Sequence, residues 1–468
     1  MKLPMKARKV KILFINVVNP DRGIETLYPP LGPAYLASYI NKYLDKNKFD
    51  FKLINSDEME KIKRLETDVV CITSVSQNFN RAKNVAKVCK SMGIKNVLIG
   101  GCHISLCPNS LDKNMDIGVI REGEETFLEL MKIFLRKGKF LKSDLLKIKG
   151  IIYWDDDKVK INPKRDLITP LDKIPFPDRS LFKINPNKAY IFSSRGCPYR
   201  CIFCASSRLW EKTRFFSADY VFKEIKEMVN KYEVKRIDFY DDLFIADKQR
   251  MKVLADLMEK SGLSRKAEFN VTGRANLIDD EVCLLLKRIS VKGVSMGLES
   301  GSPQILKYLK GDSVTVEDNF RAVETIKRHN LYCSGSFIIG SPPDTRKTIL
   351  ETLDFIKKSK LDEFAVFSLT PFPGTPVWEY AESKKLISGN PEGINWNSID
   401  VDFSRAHDRN VHLSKNLSRQ ELYDLYLLFE KEKRKRNIKR AIKLLYTNPK
   451  RFVYHIDRLL KNLVLKIK

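Results

Sequence analysis

No stretch of about 18 consecutive apolar residues occurs in the chain, so a membrane-spanning helix is not expected. The first residues, MKLPMKARKVKILFINVV, are basic and then apolar, in superficial imitation of a secretion signal. The apolar part is short and lacks a small-residue cleavage site, so it reads as the first buried strand of a domain. A cytoplasmic protein is expected. Acidic residues are in deficit, with 58 Asp and Glu against 85 Lys and Arg and a formal charge of +27. That surplus suits either an anionic partner or lysines spread over solvated faces. Paired cysteines are missing as well: nine cysteines, an odd number, in 468 residues argue against a disulfide framework. The length implies two or three domains, and the 43% hydrophobic content is enough for sizeable cores.

What is present begins with alternation. Strand-like runs at Val10–Ile15, Phe51–Ile54, Val69–Thr73, Val97–Ile99 and Ile117–Ile120 alternate with helical spacing at Pro33–Tyr43, Asn80–Lys90 and Glu124–Leu135. This is the pattern of a doubly wound, Rossmann-like parallel sheet over residues 1–140, in which ligands bind at the carboxyl ends of the strands. Residues 141–187 change character. Gly150–Trp154 and Lys158–Ile161 form an expected hairpin, followed by a connector with prolines at 170, 175 and 177 that break regular structure. From 188 to 380 six further strand–helix units follow. Their strands are expected at Ala189–Ser193, Arg236–Tyr240, Glu268–Thr272, Gly293–Gly297, Ser334–Ile339 and Phe364–Leu369. They predict a partial or full parallel (β/α) barrel, with its chemistry on the loops at the strands' carboxyl ends. Residues 381–468 read as a helical, basic C-terminal region.

Directly after the first barrel strand stands SSRGCPYRCIFCASS, which sets Cys197, Cys201 and Cys204 in a C-x3-C-x2-C array. Three thiolates on one tight loop can hold three irons of a cubane cluster and leave the fourth open to an exogenous ligand. A structural zinc site normally needs four ligands, and no second knuckle or nearby His supplies a fourth. Cys71, Cys89, Cys283 and Cys333, in apolar segments, read as small buried hydrophobes.

CPYRCIFC resembles the signature of the radical S-adenosylmethionine (SAM) superfamily. In that family SAM chelates the open iron of a [4Fe–4S] cluster and is cleaved reductively to methionine and a 5′-deoxyadenosyl radical. The resemblance places Phe203 near the adenine and implies further SAM contacts at successive strand ends. Asp241 and Asp242 in FYDDLF would face the methionine ammonium, Arg274 in TGRAN its carboxylate, and Glu299 and Ser300 in MGLESG the ribose. GSFIIGSPPDT matches the family pattern after the fifth strand, and TPFPGTP resembles a closing loop after the sixth.

PPLGPAYLASYI, TSVSQNFNRA, IGGCHISLCP and REGEETF resemble the cobalamin-binding domain fused to many radical SAM enzymes. The small and hydroxyl residues Thr73, Ser74, Gly100 and Gly101 would let a large cofactor approach the backbone, with Glu122 and Gly123 on the next loop. The loop after the first strand, NVVNPDRGIETLYPP, has no His, so it offers cobalt no imidazole. His103, the only His of this region, is the remaining candidate contact.

Together the two halves imply methylation of an unactivated carbon of a small-molecule or lipid-like substrate, with an electron donor such as flavodoxin or ferredoxin. Radical cyclisation, oxidation or rearrangement without methyl transfer is the alternative within this architecture. A methylthiotransferase-like RNA modifier is disfavoured by the lack of a second three-cysteine cluster, and a nucleic-acid partner is not expected. The tail from Lys431 to Lys468 is densely basic and periodically apolar. It would either pack on the barrel or lie on an anionic membrane surface.

Overall fold

The computed structural model describes residues 8–20, 28–388 and 390–447. The first unit is a seven-stranded sheet in the order β2-β1-β3-β4-β5-β6-β7. Its strands are β1 (Val10–Asn16), β2 (Phe49–Asn55), β3 (Val69–Thr73), β4 (Asn96–Gly100), β5 (Ile117–Val119), β6 (Ile151–Asp155) and β7 (Lys158–Ile161). β1 to β5 run parallel; Ile12 pairs with Phe51 on one side and Val69 on the other. Alternate residues of β1 serve opposite faces, as a period of two requires. Ile12 and Phe14 pack with helices α1 (Leu31–Tyr43) and α3 (Glu124–Lys137), whereas Leu13 and Ile15 pack with α2 (Phe79–Ser91). A sheet covered on both faces explains why these strands are continuous apolar runs.

The hairpin expected within the connector instead completes this sheet. β6 pairs antiparallel with β5, Tyr153 opposite Ile117, and β7 follows it. Ile151, Ile152 and Tyr153 are fully buried, and that apolar triplet draws the hairpin onto the sheet edge.

The second unit holds six parallel strands in the order β15-β14-β13-β12-β11-β8. They are β8 (Ala189–Ile191), β11 (Arg236–Phe239), β12 (Glu268–Gly273), β13 (Val291–Glu299), β14 (Tyr332–Ile339) and β15 (Glu363–Ser368). The short ribbon β9 (Ser194–Arg195) with β10 (Arg214–Phe215) lies between the first two. β8 and β15 are the sheet's two edges, so the barrel is the partial form. Helices α4 (Ala218–Tyr232), α5 (Lys248–Ser261), α6 (Asp280–Ile289), α7 (Val316–Arg328) and α8 (Arg346–Lys358) alternate with the strands. Each begins at a side-chain cap that satisfies an orphan backbone N–H. Ser217 accepts from the Tyr220 amide, Asp247 from Arg250, Asp279 from Val282, Thr315 from Asp318 and Thr345 from Thr348.

The C-terminal region binds the two units together. Trp396 is fully buried in the core of the first unit, 4.4 Å from the His103 ring and stacked 5.9 Å from Trp378. Helix α9 (Arg419–Thr447) then packs Leu422, Leu425, Tyr426 and Phe429 into the barrel's core. The expected tail beyond Thr447 lies outside the described residues.

Candidate functional site: one cavity between the sheet and the cysteine loop

Asp241, at the end of β11, holds the approach to the cysteine loop. Its carboxylate accepts from the amides of Ser193 (2.7 Å) and Ser194 (3.1 Å) and from the Ser193 hydroxyl. Burial raises its pKa, with the Arg250 charge opposing. Gly196 follows at φ +92°, where a Cβ would lie 2.9 Å from the Trp210 Cβ and 3.1 Å from the Lys212 oxygen. Only glycine turns the chain there.

Cys197, Cys201 and Cys204 are all half-buried and free of disulfides, and the Cys204 amide donates to the Cys201 carbonyl across a tight turn. Ile202 is tied to the Leu309 carbonyl at 3.1 Å, and Ile202 and Phe203 pack against the core of the first unit. Arg274 lies with its guanidinium 3.7 Å from the Tyr199 ring centre and donates to Cys201 Sγ at 3.5 Å and Ser313 Oγ at 2.6 Å. Among the described residues no group of three His, Cys, Asp or Glu converges as a single-ion site. A donor set of three loop thiols without a His or carboxylate partner fits a cubane cluster better than a mononuclear ion.

Next to this loop, bordered by Ala205 and Ser206 just after Cys204 but by none of the three cysteines, is a cavity of about 510 Å³. Its floor is the carboxyl end of the first sheet: Phe14, Thr73, Leu98 and Gly100 to Cys102, with Gly123 and Phe127. Its opposite wall is barrel: Phe192, Arg195, Ser206, Trp210, Tyr240 and Asp242. Gly101 has φ +103°, and a Cβ there would stand 2.7 Å from the Ser74 oxygen and 3.1 Å from Thr73 Oγ1. Only glycine fits there, and its missing side chain lets the end of β4 lie directly against Ser74 and Thr73. Asp242 lines this cavity and accepts from Ser206 Oγ at 2.5 Å, and burial raises its pKa.

Glu122 clamps the two walls. It accepts from Arg195 at 2.7 Å, from Arg214 at 2.9 Å and from the Ile168 amide at 2.8 Å, while Arg195 also reaches Glu124. Burial works against the charge on Glu122, but the two arginines hold its pKa below the usual value.

Two family models match the chain: the radical SAM superfamily over residues 191–356 and the B12 binding domain over residues 23–131. An uncharacterized methyltransferase of Pyrococcus horikoshii is 34% identical over 89% of this chain and 93% of that protein. The chain belongs to the radical SAM enzymes that carry a B12-binding domain. Its cofactors are accordingly a [4Fe–4S] cluster, SAM and cobalamin. The bacteriochlorophyllide d C-12(1)-methyltransferase of Chlorobaculum tepidum is 29% identical over 80% of this chain and 76% of that protein. The radical SAM methyltransferase TsrM of Kitasatospora setae, solved with cobalamin and a [4Fe–4S] cluster, shares the fold at a TM-score of 0.65. That match has 16% identity over 80% of this chain and 75% of that one.

In this radical SAM enzyme the expected contacts His103, Ser300 and Glu299, like Asp241, are engaged within the protein. His103 is fully buried beneath the cavity floor. Its Nδ1 pairs with Ser76 Oγ at 3.0 Å and its Nε2 with Ser110 Oγ at 2.9 Å, and its ring centre lies 3.8 Å from that of Phe79, tilted by 30°. Both nitrogens are engaged, so it offers cobalt no ligand. Ser300 Oγ pairs with Thr352 Oγ1 and accepts from the Ser302 amide, both at 3.0 Å, which knits the turn after β13 to α8 rather than presenting a hydroxyl to a ribose. Ser74 contributes its backbone beneath Gly101, and its buried hydroxyl has no partner among the described residues. Glu299, at φ +62°, is buried against Lys310 at 3.4 Å; burial raises its pKa and Lys310 opposes the rise.

Arg195, Tyr240, Trp210 and Cys102 line the cavity without having been singled out in the sequence. Arg195 is next to the motif glycine, yet nothing local tells that its partners lie 73 and 71 residues earlier.

Proposed function

We propose that the protein methylates an unactivated carbon of an apolar, small-molecule or lipid-like substrate, taking its electrons from a flavodoxin- or ferredoxin-type donor. The observation that carries this reading is the shared cavity, whose floor belongs to the B12-binding sheet and whose opposite wall borders the cysteine loop. Cys197, Cys201 and Cys204 would hold three irons of the cluster. Asp242 and Arg274 would meet the SAM ammonium and carboxylate, as charge-assisted partners of opposite sign, with Phe203 behind the loop. Thr73, Gly100, Gly101, Gly123 and the backbone of Ser74 would seat cobalamin.

When bound, the cluster reduces SAM to methionine and a 5′-deoxyadenosyl radical while cobalamin supplies the methyl group. The chain's own part is placement and shielding. Asp241 fixes the backbone that leads to the cysteines, and Glu122 locks Arg195 against the first unit. Phe192, Trp210 and Tyr240 present aromatic faces that exclude water from a reactive radical and favour an apolar substrate.

Anaerobic reconstitution with iron and sulfide tests the assignment. The wild type should hold about four irons and release 5′-deoxyadenosine from SAM under dithionite. A Cys197→Ala, Cys201→Ala, Cys204→Ala variant should lose both while keeping its melting temperature. Retention of the iron by that variant would overturn the cluster assignment.

A further inference from the structure

The inward side of α9 is fully committed. Arg436 donates to the carbonyls of Leu361 (3.0 Å) and Ile356 and pairs with Glu432, while Arg440 donates to the Tyr332 hydroxyl at 3.0 Å and lies over its ring. The outward side is different. Ile438, Ile442 and Tyr446 are 60%, 53% and 82% exposed and recur every fourth residue, so they form one stripe along the helix. Lys431, Lys435 and Lys439 are also exposed with the same spacing, and at 100° per residue their stripe runs about 60° around the helix from the apolar one. Arg434, likewise exposed, extends the apolar stripe by one turn. Between residues 431 and 442 seven Lys and Arg stand against one Glu.

We propose that this face of α9 docks on an anionic phospholipid surface. An apolar stripe bordered by cations is the composition that inserts at the headgroup boundary while its charges meet anionic lipid. Charge selects this occupant over others. A second copy of the helix would oppose lysine to lysine. Residues 448–468 carry six Lys and Arg against one Asp, so they too would bring like charge. A nucleic acid would satisfy the lysines and leave the isoleucines unexplained.

The test uses the full-length, cluster-loaded protein in flotation with vesicles of phosphatidylcholine alone or mixed with phosphatidylglycerol. The wild type should float with the mixed vesicles, not with the neutral ones, and release as salt rises. An Ile438→Glu, Ile442→Glu, Tyr446→Glu variant and a Lys431→Glu, Lys435→Glu, Lys439→Glu variant should each weaken binding by about tenfold or more. Both should keep the wild-type melting temperature and SAM cleavage. Absence of flotation, or binding unchanged in the first variant, would overturn the proposal. A melting temperature lowered in that variant would show the stripe to be covered by the protein itself, with the same consequence. Displacement from vesicles by a short single-stranded oligonucleotide, with binding insensitive to the apolar variant, would assign the face to nucleic acid instead.

Discussion

At the scale of the residue, His103 shows how a side chain can be identified correctly as unusual and still have another role. Its desolvation lowers its pKa to about 3 from 6.5, because a charged imidazole would lie among Phe79 and Trp396. The folded pKa is below the unfolded one, so the neutral ring's contribution is fully present above pH 6.5 and is lost as pH falls toward 3, by about 1.4 kcal/mol for each pH unit. The stability of the wild type relative to His103→Gln should therefore shrink between pH 7 and pH 5 in urea unfolding. A difference independent of pH would contradict a buried neutral imidazole. The sequence disclosed His103 as the only His near the strand ends, but its position under the floor depends on Trp396, nearly 300 residues away in the chain. Gly101 was legible for the opposite reason. A glycine pair at a strand end has few uses other than a left-handed turn or close approach, and this one serves both.

At the scale of the element, most strands and helices were legible because each is a local apolar period between recognisable caps. β3 and β7 match their expected bounds, and the other expected elements differ mainly at their ends. The β6–β7 hairpin was legible as a hairpin, whereas its partner was not, since pairing with β5 is a long-range choice. The same holds for the clamp of Glu122, Glu124, Arg195 and Arg214, which bridges the first sheet to the β9–β10 ribbon. Arg195→Ala would leave two buried carboxylates short of a cation, Glu122 retaining Arg214. The expected cost is about 3 kcal/mol, read as a lowered melting temperature. Because the clamp joins both walls of the cavity, the variant should also lose corrinoid and iron together. Unchanged stability, or loss of one cofactor alone, would contradict a clamp.

At the scale of the whole molecule, the two units were separable in the sequence by the proline-rich connector, and the cysteine motif identified the chemistry of the second. The strap formed by the C-terminal region was not legible. Ile394, Trp396, Ile399, Val411 and Leu413 return to the core of the first unit before α9 packs on the second, and no periodicity in residues 391–413 announces that destination. The strap and the clamp together fix the B12-binding sheet over the cysteine loop, and that juxtaposition is the basis of the functional account. Its most direct measurement is electron paramagnetic resonance of the anaerobic protein loaded with cob(II)alamin and a reduced [4Fe–4S] cluster. The two paramagnets should broaden or split one another, since the cavity over the B12-binding sheet borders the cysteine loop at Ala205 and Ser206. Two unperturbed spectra, each identical to that of protein loaded with the single cofactor, would contradict it.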